Sequence, residues 1–149
     1  MFPPFRFAGK PRERKGAAAV EFAIVAPLLF LLILGIIEFA RIFMVVQIIN
    51  NGAREGARKA ILPGATQTIV NNTIESYMTN AGLSGHTKTF FVNNSSTTNV
   101  TSAVAGDSIK VVLSIPVNNI SWLPANFIGF LTGSGQSLST SVVMRKEDS

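Results

Sequence analysis

The chain has 149 residues, 47% of them hydrophobic and 14% charged, with a net charge of +5 and no cysteine. This length leaves room for one domain of roughly a hundred residues beyond a membrane segment. Residues 1–16 hold five cations against one acid and the other 133 residues hold 8 cations against 7 acids, so the basicity excludes an extended basic groove for nucleic acid, and the missing cysteine excludes a disulfide-stapled fold.

Arg6, Lys10, Arg12, Arg14 and Lys15 are interspersed with Pro3, Pro4 and Pro11, and this stretch is expected to be disordered. From Ala17 to Ile37 there are twenty-one residues whose single charge is Glu21, and about 20 apolar residues are what a helix needs to cross the hydrocarbon core. Cations gathered before such a helix mark its cytoplasmic side. No second apolar run of comparable length follows Arg41, so the expected topology is a single pass with the N-terminus in the cytoplasm. A secretory signal shares the basic-then-apolar order, but its apolar region spans about 7–15 residues and the helical pattern does not continue past it. A carboxylate near the edge of a membrane helix costs on the order of 2–3 kcal/mol and is a functional candidate by default. Glu21 therefore needs a compensating partner.

Gly16, four small or apolar residues, then Glu21-Phe22 and an apolar helix resemble the class III signal of type IV pilins, which a prepilin peptidase cuts after the glycine. The longer pattern of Gly16-Ala-Ala-Ala-Val-Glu-Phe-Ala, Pro27-Leu-Leu, Gly35-Ile-Ile-Glu38-Phe39-Ala-Arg41 and Ala53-Arg-Glu-Gly-Ala-Arg58 is similar to the TadE-like pseudopilins of tight-adherence (Flp-type) pilus systems. The match is dense over Lys15 to Gly64 and faint beyond. Flp-type major pilins usually carry tyrosine after the glutamate, and Phe22 in that place, with the greater chain length, favours a pseudopilin. The resemblance implies cleavage between Gly16 and Ala17, recognition of Glu21 and Phe22 by the peptidase or a neighbouring subunit, and a role in assembling a pilus for attachment and biofilm. The implied partners are the prepilin peptidase, other pilins and pseudopilins, inner-membrane assembly proteins and membrane lipid, with no nucleic acid, small-molecule substrate or cofactor. After such a cut the new amine on Ala17 would sit about one helical turn from the Glu21 carboxylate, in the same subunit or across to the next.

Beyond Arg41, Phe39, Ile42, Val46, Ile49, Ala53, Ala57 and Ala60 recur at three- and four-residue spacings, with Gln47, Asn50, Asn51, Arg54 and Arg58 on the other side. This is the period of an amphipathic helix. Pro63-Gly64 is a stop, so one helix is expected from about Ala17 to Leu62, about 70 Å long, with Pro27 as a possible kink. Gly52, Gly56 and Ala60 would let a second surface approach closely, either the molecule's own sheet or a neighbouring subunit. Thr66 to Ala81 reads as a second helix stopped at Gly82.

The composition then shifts to Asn, Ser, Thr, Gly and Val. Thr87–Asn93 is a candidate strand, Asn94–Asn99 a polar turn, and Val100–Ala105 a weak strand leading to a turn at Gly106-Asp107. Ser108–Pro116 alternates most cleanly, with Ile109, Val111, Leu113 and Ile115 on one face, and Ser137–Lys146 places Leu138, Thr140, Val142 and Met144 together. Between them, Trp122, Leu123, Phe127, Ile128, Phe130 and Leu131 follow no clean period and read as a lid, a short helix or an exposed apolar patch. The expected fold is α+β: a long transmembrane and amphipathic helix carrying a small head of a second helix and a three- or four-stranded antiparallel sheet, as in type IV pilins. The expected domains are a basic cytoplasmic leader (1–16), a transmembrane helix (17–41) and a periplasmic or extracellular head (42–149).

Catalytic chemistry is thinly represented. His86, the one histidine, reads as an isolated surface residue in a loop, no Gly-x-Ser-x-Gly elbow surrounds any serine, and no His/Cys cluster or alternating acids point to a metal. The leading expectation is a non-enzymatic assembly protein of the bacterial inner membrane. The alternatives are an unprocessed bitopic protein whose periplasmic head binds a partner, and a membrane-anchored enzyme.

Overall fold

The computed structural model describes residues 15–97, 99–122 and 135–147. The leader residues before Lys15 and the apolar segment from Leu123 to Leu131 lie outside the described residues. The chain divides into two units, Met1–Ile37 and Glu38–Ser149. Helix α1 (Lys15–Ala60, 46 residues) contributes to both.

In the first unit the helix is apolar on all sides, and Val20, Phe22, Ile24, Leu28, Phe30 and Leu32 are all exposed. Pro27 lies inside α1 without ending it. Proline removes one backbone donor, a loss that apolar membrane helices accommodate through local adjustment.

The second unit is built from the remainder of α1, helix α2 (Gln67–Asn80) and strands β1 (Thr87–Val92), β2 (Ser95–Thr97), β3 (Ser108–Pro116) and β4 (Ser137–Arg145). The strands form one antiparallel sheet in the order β2-β1-β3-β4. This is the expected α+β architecture. Helix α2 starts where Thr66, extended at its own backbone, accepts a bond from the Ile69 amide at 3.3 Å, satisfying one orphan donor of the first turn. It ends where Gly82 takes a positive φ of 71° and the amides of Gly82 and Leu83 return to the carbonyls of Thr79 and Met78, the glycine-dependent Schellman closure.

Two expectations in the strand region are corrected. The turn expected over Asn94–Asn99 is completed by Asn93 and Asn94 alone, both at positive φ, which asparagine tolerates and a two-residue hairpin requires. Ser95–Thr97 is then free to pair with β1 as strand β2, with Phe90 opposite Thr97 and Val92 opposite Ser95. The strand expected over Val100–Ala105 is instead a 3-10 turn, Val100–Ser102, capped by the Asn99 side chain on the Thr101 amide at 2.9 Å. Its apolar residues still enter the core, since Val100 and Ala103 are buried.

The core lies between the helices and one face of the sheet. Ile109, Val111, Leu113 and Ile115 of β3 are fully buried, with Phe90 opposite Val111 and with Met144, Val142, Thr140 and Leu138 of β4 opposite the four in turn. Against them pack Val45, Ile49, Ala53, Ala57 and Ala60 of α1 and Val70, Ile74 and Met78 of α2, each series at helical spacing. Phe39, expected in the stripe, is 66% exposed, and Val45 rather than Val46 is its first fully buried member. Asn50, expected on the polar side, borders the stripe and accepts a bond from the Thr140 hydroxyl at 3.2 Å.

Candidate functional site

Gly16, Ala17, Glu21 and Phe22 lie on the opening turns of α1, all exposed. Glu21 follows Ala17 by four residues, about 6 Å along the axis and on the same side. Around the carboxylate stand Val20, Phe22, Ile24 and Val25, all exposed apolar side chains. The helix is long and apolar enough to cross a membrane, and none of its most apolar stretch is buried within the molecule. A helix apolar on every side needs an apolar environment such as lipid or a packed assembly.

Gly52, Gly56 and Ala60 lie elsewhere on the same helix. A Cβ added at Gly52 would come within 3.3–3.4 Å of the side chains of Tyr77, Leu113 and Met78, and one at Gly56 within 2.6 Å of Ile74. Ala60 is fully buried. Gly52 and Gly56 are covered by the molecule's own α2 and β3, and Gly56 is small because Ile74 occupies the space a side chain would need.

At the start of the second unit, Arg41 donates from Nε to the Ile120 carbonyl, and its guanidinium carbon lies 4.5 Å from the centre of the Trp122 ring, within cation–π range. One carboxylate oxygen of Glu38, a turn earlier, is buried with no hydrogen-bond partner.

His86 departs from expectation. Its side chain is 4% exposed, with Nε2 3.4 Å from the Glu75 carboxylate, and neither ring nitrogen has a hydrogen-bond partner. The Lys88 ammonium binds the same Glu75 oxygen at 2.5 Å. That hydrogen bond, more than the attraction of the Lys88 and His86 charges, holds the Glu75 carboxyl below its ordinary value against a partial desolvation that pushes it up. No spacing in the sequence links Glu75 to His86 or Lys88; the sheet brings β1 under α2. Asp107 is likewise held low, first by the Asn93 side chain and then by the Val104 amide. These bonds close the Gly106 turn beside β4, where the Gly106 amide donates to the Lys146 carbonyl at 2.9 Å. Among the described residues no group of three or more His, Cys, Asp or Glu is placed to hold a metal ion.

The family model described as TadE-like protein matches residues 16–58. Those bounds fall two residues short of the end of α1 and take in Gly16, Glu21, Phe22, Gly52 and Gly56; α2 and the sheet lie outside them. No curated protein and no solved structure matches the chain. The match shows that the α1 region resembles a TadE-like protein, and among the described residues α1 is the one helix long and apolar enough to cross a membrane, as a single-pass protein requires.

Proposed function

We propose that this chain, TadE-like over residues 16–58, is a pseudopilin or minor pilin that a prepilin peptidase cuts after Gly16 and that takes part in assembling a tight-adherence (Flp-type) pilus used for attachment and biofilm. Residues 1–16 are then a cytoplasmic leader, 17–41 the transmembrane helix and 42–149 a periplasmic head. Its role is structural, with the peptidase, other pilins and inner-membrane assembly proteins as partners.

The observation that carries the reading is Glu21 on the exposed apolar face of α1, one turn from Ala17. In the bilayer the acid reaches toward the cytoplasmic surface by snorkelling. Once the helix packs among others, carboxylate and amine both lose water, and opposite charges a few ångströms apart offset part of that cost. The cut after Gly16 therefore creates the amine with which the carboxylate can pair.

Mass spectrometry of the protein extracted from native membranes tests this. The expected N-terminus is Ala17. Intact protein beginning at Met1 would instead support the unprocessed bitopic alternative, a membrane protein with a partner-binding head.

A further inference from the structure

Trp122 is the chain's single tryptophan and is 74% exposed, yet its position is held. Ile120, two residues earlier, is 1% exposed in the core. The amides of Ile120 and Ser121 both return to the Val117 carbonyl, at 3.1 and 3.0 Å. Arg41 fastens the same stretch twice, through Nε to the Ile120 carbonyl and through its guanidinium over the indole. A large apolar ring is thus clamped to one point of α1 while most of its surface is left uncovered.

That point has a definite depth if α1 spans a bilayer, the reading on which this inference rests. The apolar run ends at Ile37 after twenty-one residues, about 31 Å of helix, which matches a hydrocarbon core of about 30 Å. Arg41 follows Ile37 by four residues, about 6 Å, and the headgroup layer on each side is about 5–7 Å thick. Arg41 therefore stands in that layer, and a ring 4.5 Å from it stands there too. The neighbouring turns of the helix carry two more exposed rings: Phe39 and Phe43, about 3 and about 9 Å past Ile37 along the axis, are each 66% exposed and bracket the level of Arg41 and Trp122. Indole combines an apolar body with one N–H donor, the pattern enriched where hydrocarbon meets headgroups. Arginine at that depth faces lipid phosphate, with which it forms charge-assisted bonds.

We propose that Trp122, held on Arg41, is an interfacial anchor that seats the head on the phospholipid headgroup layer at the exit of α1, with Phe39 and Phe43 completing an aromatic belt. The bound surface is lipid. The anchor belongs to the membrane-inserted state, so a subunit leaving the bilayer gives it up, and the indole reports which state the protein is in.

The sole tryptophan makes the test direct. Full-length protein is reconstituted into phosphatidylcholine–phosphatidylglycerol vesicles, floated on a gradient and washed with alkali. Its fluorescence is then quenched by lipids spin-labelled near the headgroup, by lipids labelled at the chain end, and by aqueous iodide. The expected result is quenching several-fold stronger from the headgroup-proximal label than from the chain-end label, weak quenching by iodide, and the reverse for iodide in Arg41→Ala, where the clamp is gone. Protein that floats and resists alkali but whose indole is open to iodide and untouched by either lipid label keeps the membrane span and overturns the anchor. An indole shielded from iodide and lipid alike identifies a protein contact and overturns it as well. Protein that does not float overturns the span and the anchor together.

Discussion

The two halves of α1 make opposite use of the same helix. Up to Ile37 the residues are apolar all round and exposed, and a Cβ added at Gly35 would meet nothing within 4 Å. From Val45 to Ala60 only one stripe is apolar, it is buried, and a Cβ at Gly56 would reach 2.6 Å from Ile74. Glycine in a helix interior costs about 1 kcal/mol relative to alanine wherever it stands. At Gly56 that cost is offset by close packing of α2; at Gly35 nothing in the molecule offsets it. The environment of the first half lies outside the chain, and that of the second half is the chain's own core.

The largest effect that tests this division is at its very start. Gly16→Val should abolish the proposed cut, because a peptidase must bring backbone up to its catalytic groups and a β-branched side chain obstructs that approach. The membrane protein should keep its full mass, and normal trimming in the variant would show the cut to be elsewhere. Next is Glu21→Ala, which should insert at least as well as wild type but leave the Ala17 amine unpaired on assembly. An uncompensated buried charge costs about 3–5 kcal/mol, enough to exclude a subunit held by modest contacts. With an N-terminus at Ala17 and normal membrane levels verified, surface filaments and adherent cells should fall sharply; wild-type adherence would remove the pairing role.

A matched pair of substitutions compares the halves directly. Gly56→Leu overpacks the contact with Ile74 and should destabilise the head by about 1–3 kcal/mol, read from thermal melts of the full-length protein in detergent micelles. Gly35→Leu places the same side chain in open space and should leave that melt unchanged. Equal shifts in both variants would mean that the head does not use Gly56 as a contact surface.

Much of the second half was legible because periodicity reports which side is covered. The spacing of Ile49, Ala53, Ala57 and Ala60 and the alternation of Ile109, Val111, Leu113 and Ile115 each identify the face that the structure buries. What escaped was decided by backbone geometry or by long-range pairing. Asn93-Asn94 turns within two residues because both accept positive φ, and the polar composition of Asn94–Asn99 does not distinguish that hairpin from a longer loop. Val100 and Ala103 are core residues on a 3-10 turn, too short to have a period of their own. His86 is 4% exposed, and it and Lys88 both meet Glu75 of α2, a meeting of residues whose separation along the chain carries no signal. The exposure of Phe39 follows from where the head's own packing begins, at Val45, which an unbroken helical pattern does not mark.

The smallest expected effect sharpens the comparison from the head's side, through Glu75. Its carboxyl is held below the ordinary value of 4.5, chiefly by the hydrogen bond from Lys88 and then by the Lys88 and His86 charges, against partial desolvation. A folded-state value lowered in this way means that the unfolded chain binds the proton more readily. The stabilisation is therefore fully present above the unfolded value and is lost as pH falls through the folded one. Because the Glu75 side chain is 55% exposed, the pair belongs with surface ion pairs worth about 0.2–1 kcal/mol, less at high salt. Asp107, also held low, contributes with the same sign, so the test must separate its contribution from that of Glu75. Melts of wild type and Glu75→Gln between about pH 6 and about pH 3 do so. The variant should be slightly less stable at the upper end and converge on wild type at the lower end, where Glu75 is itself neutral, while the part due to Asp107 persists in both. Lys88→Met should remove the same increment, since it takes away the donor that lowers the Glu75 value. Parallel curves for wild type and Glu75→Gln would show that the contact between α2 and β1 adds nothing to the head's stability, leaving the apolar packing of Ile74 and Met78 to hold α2 in place.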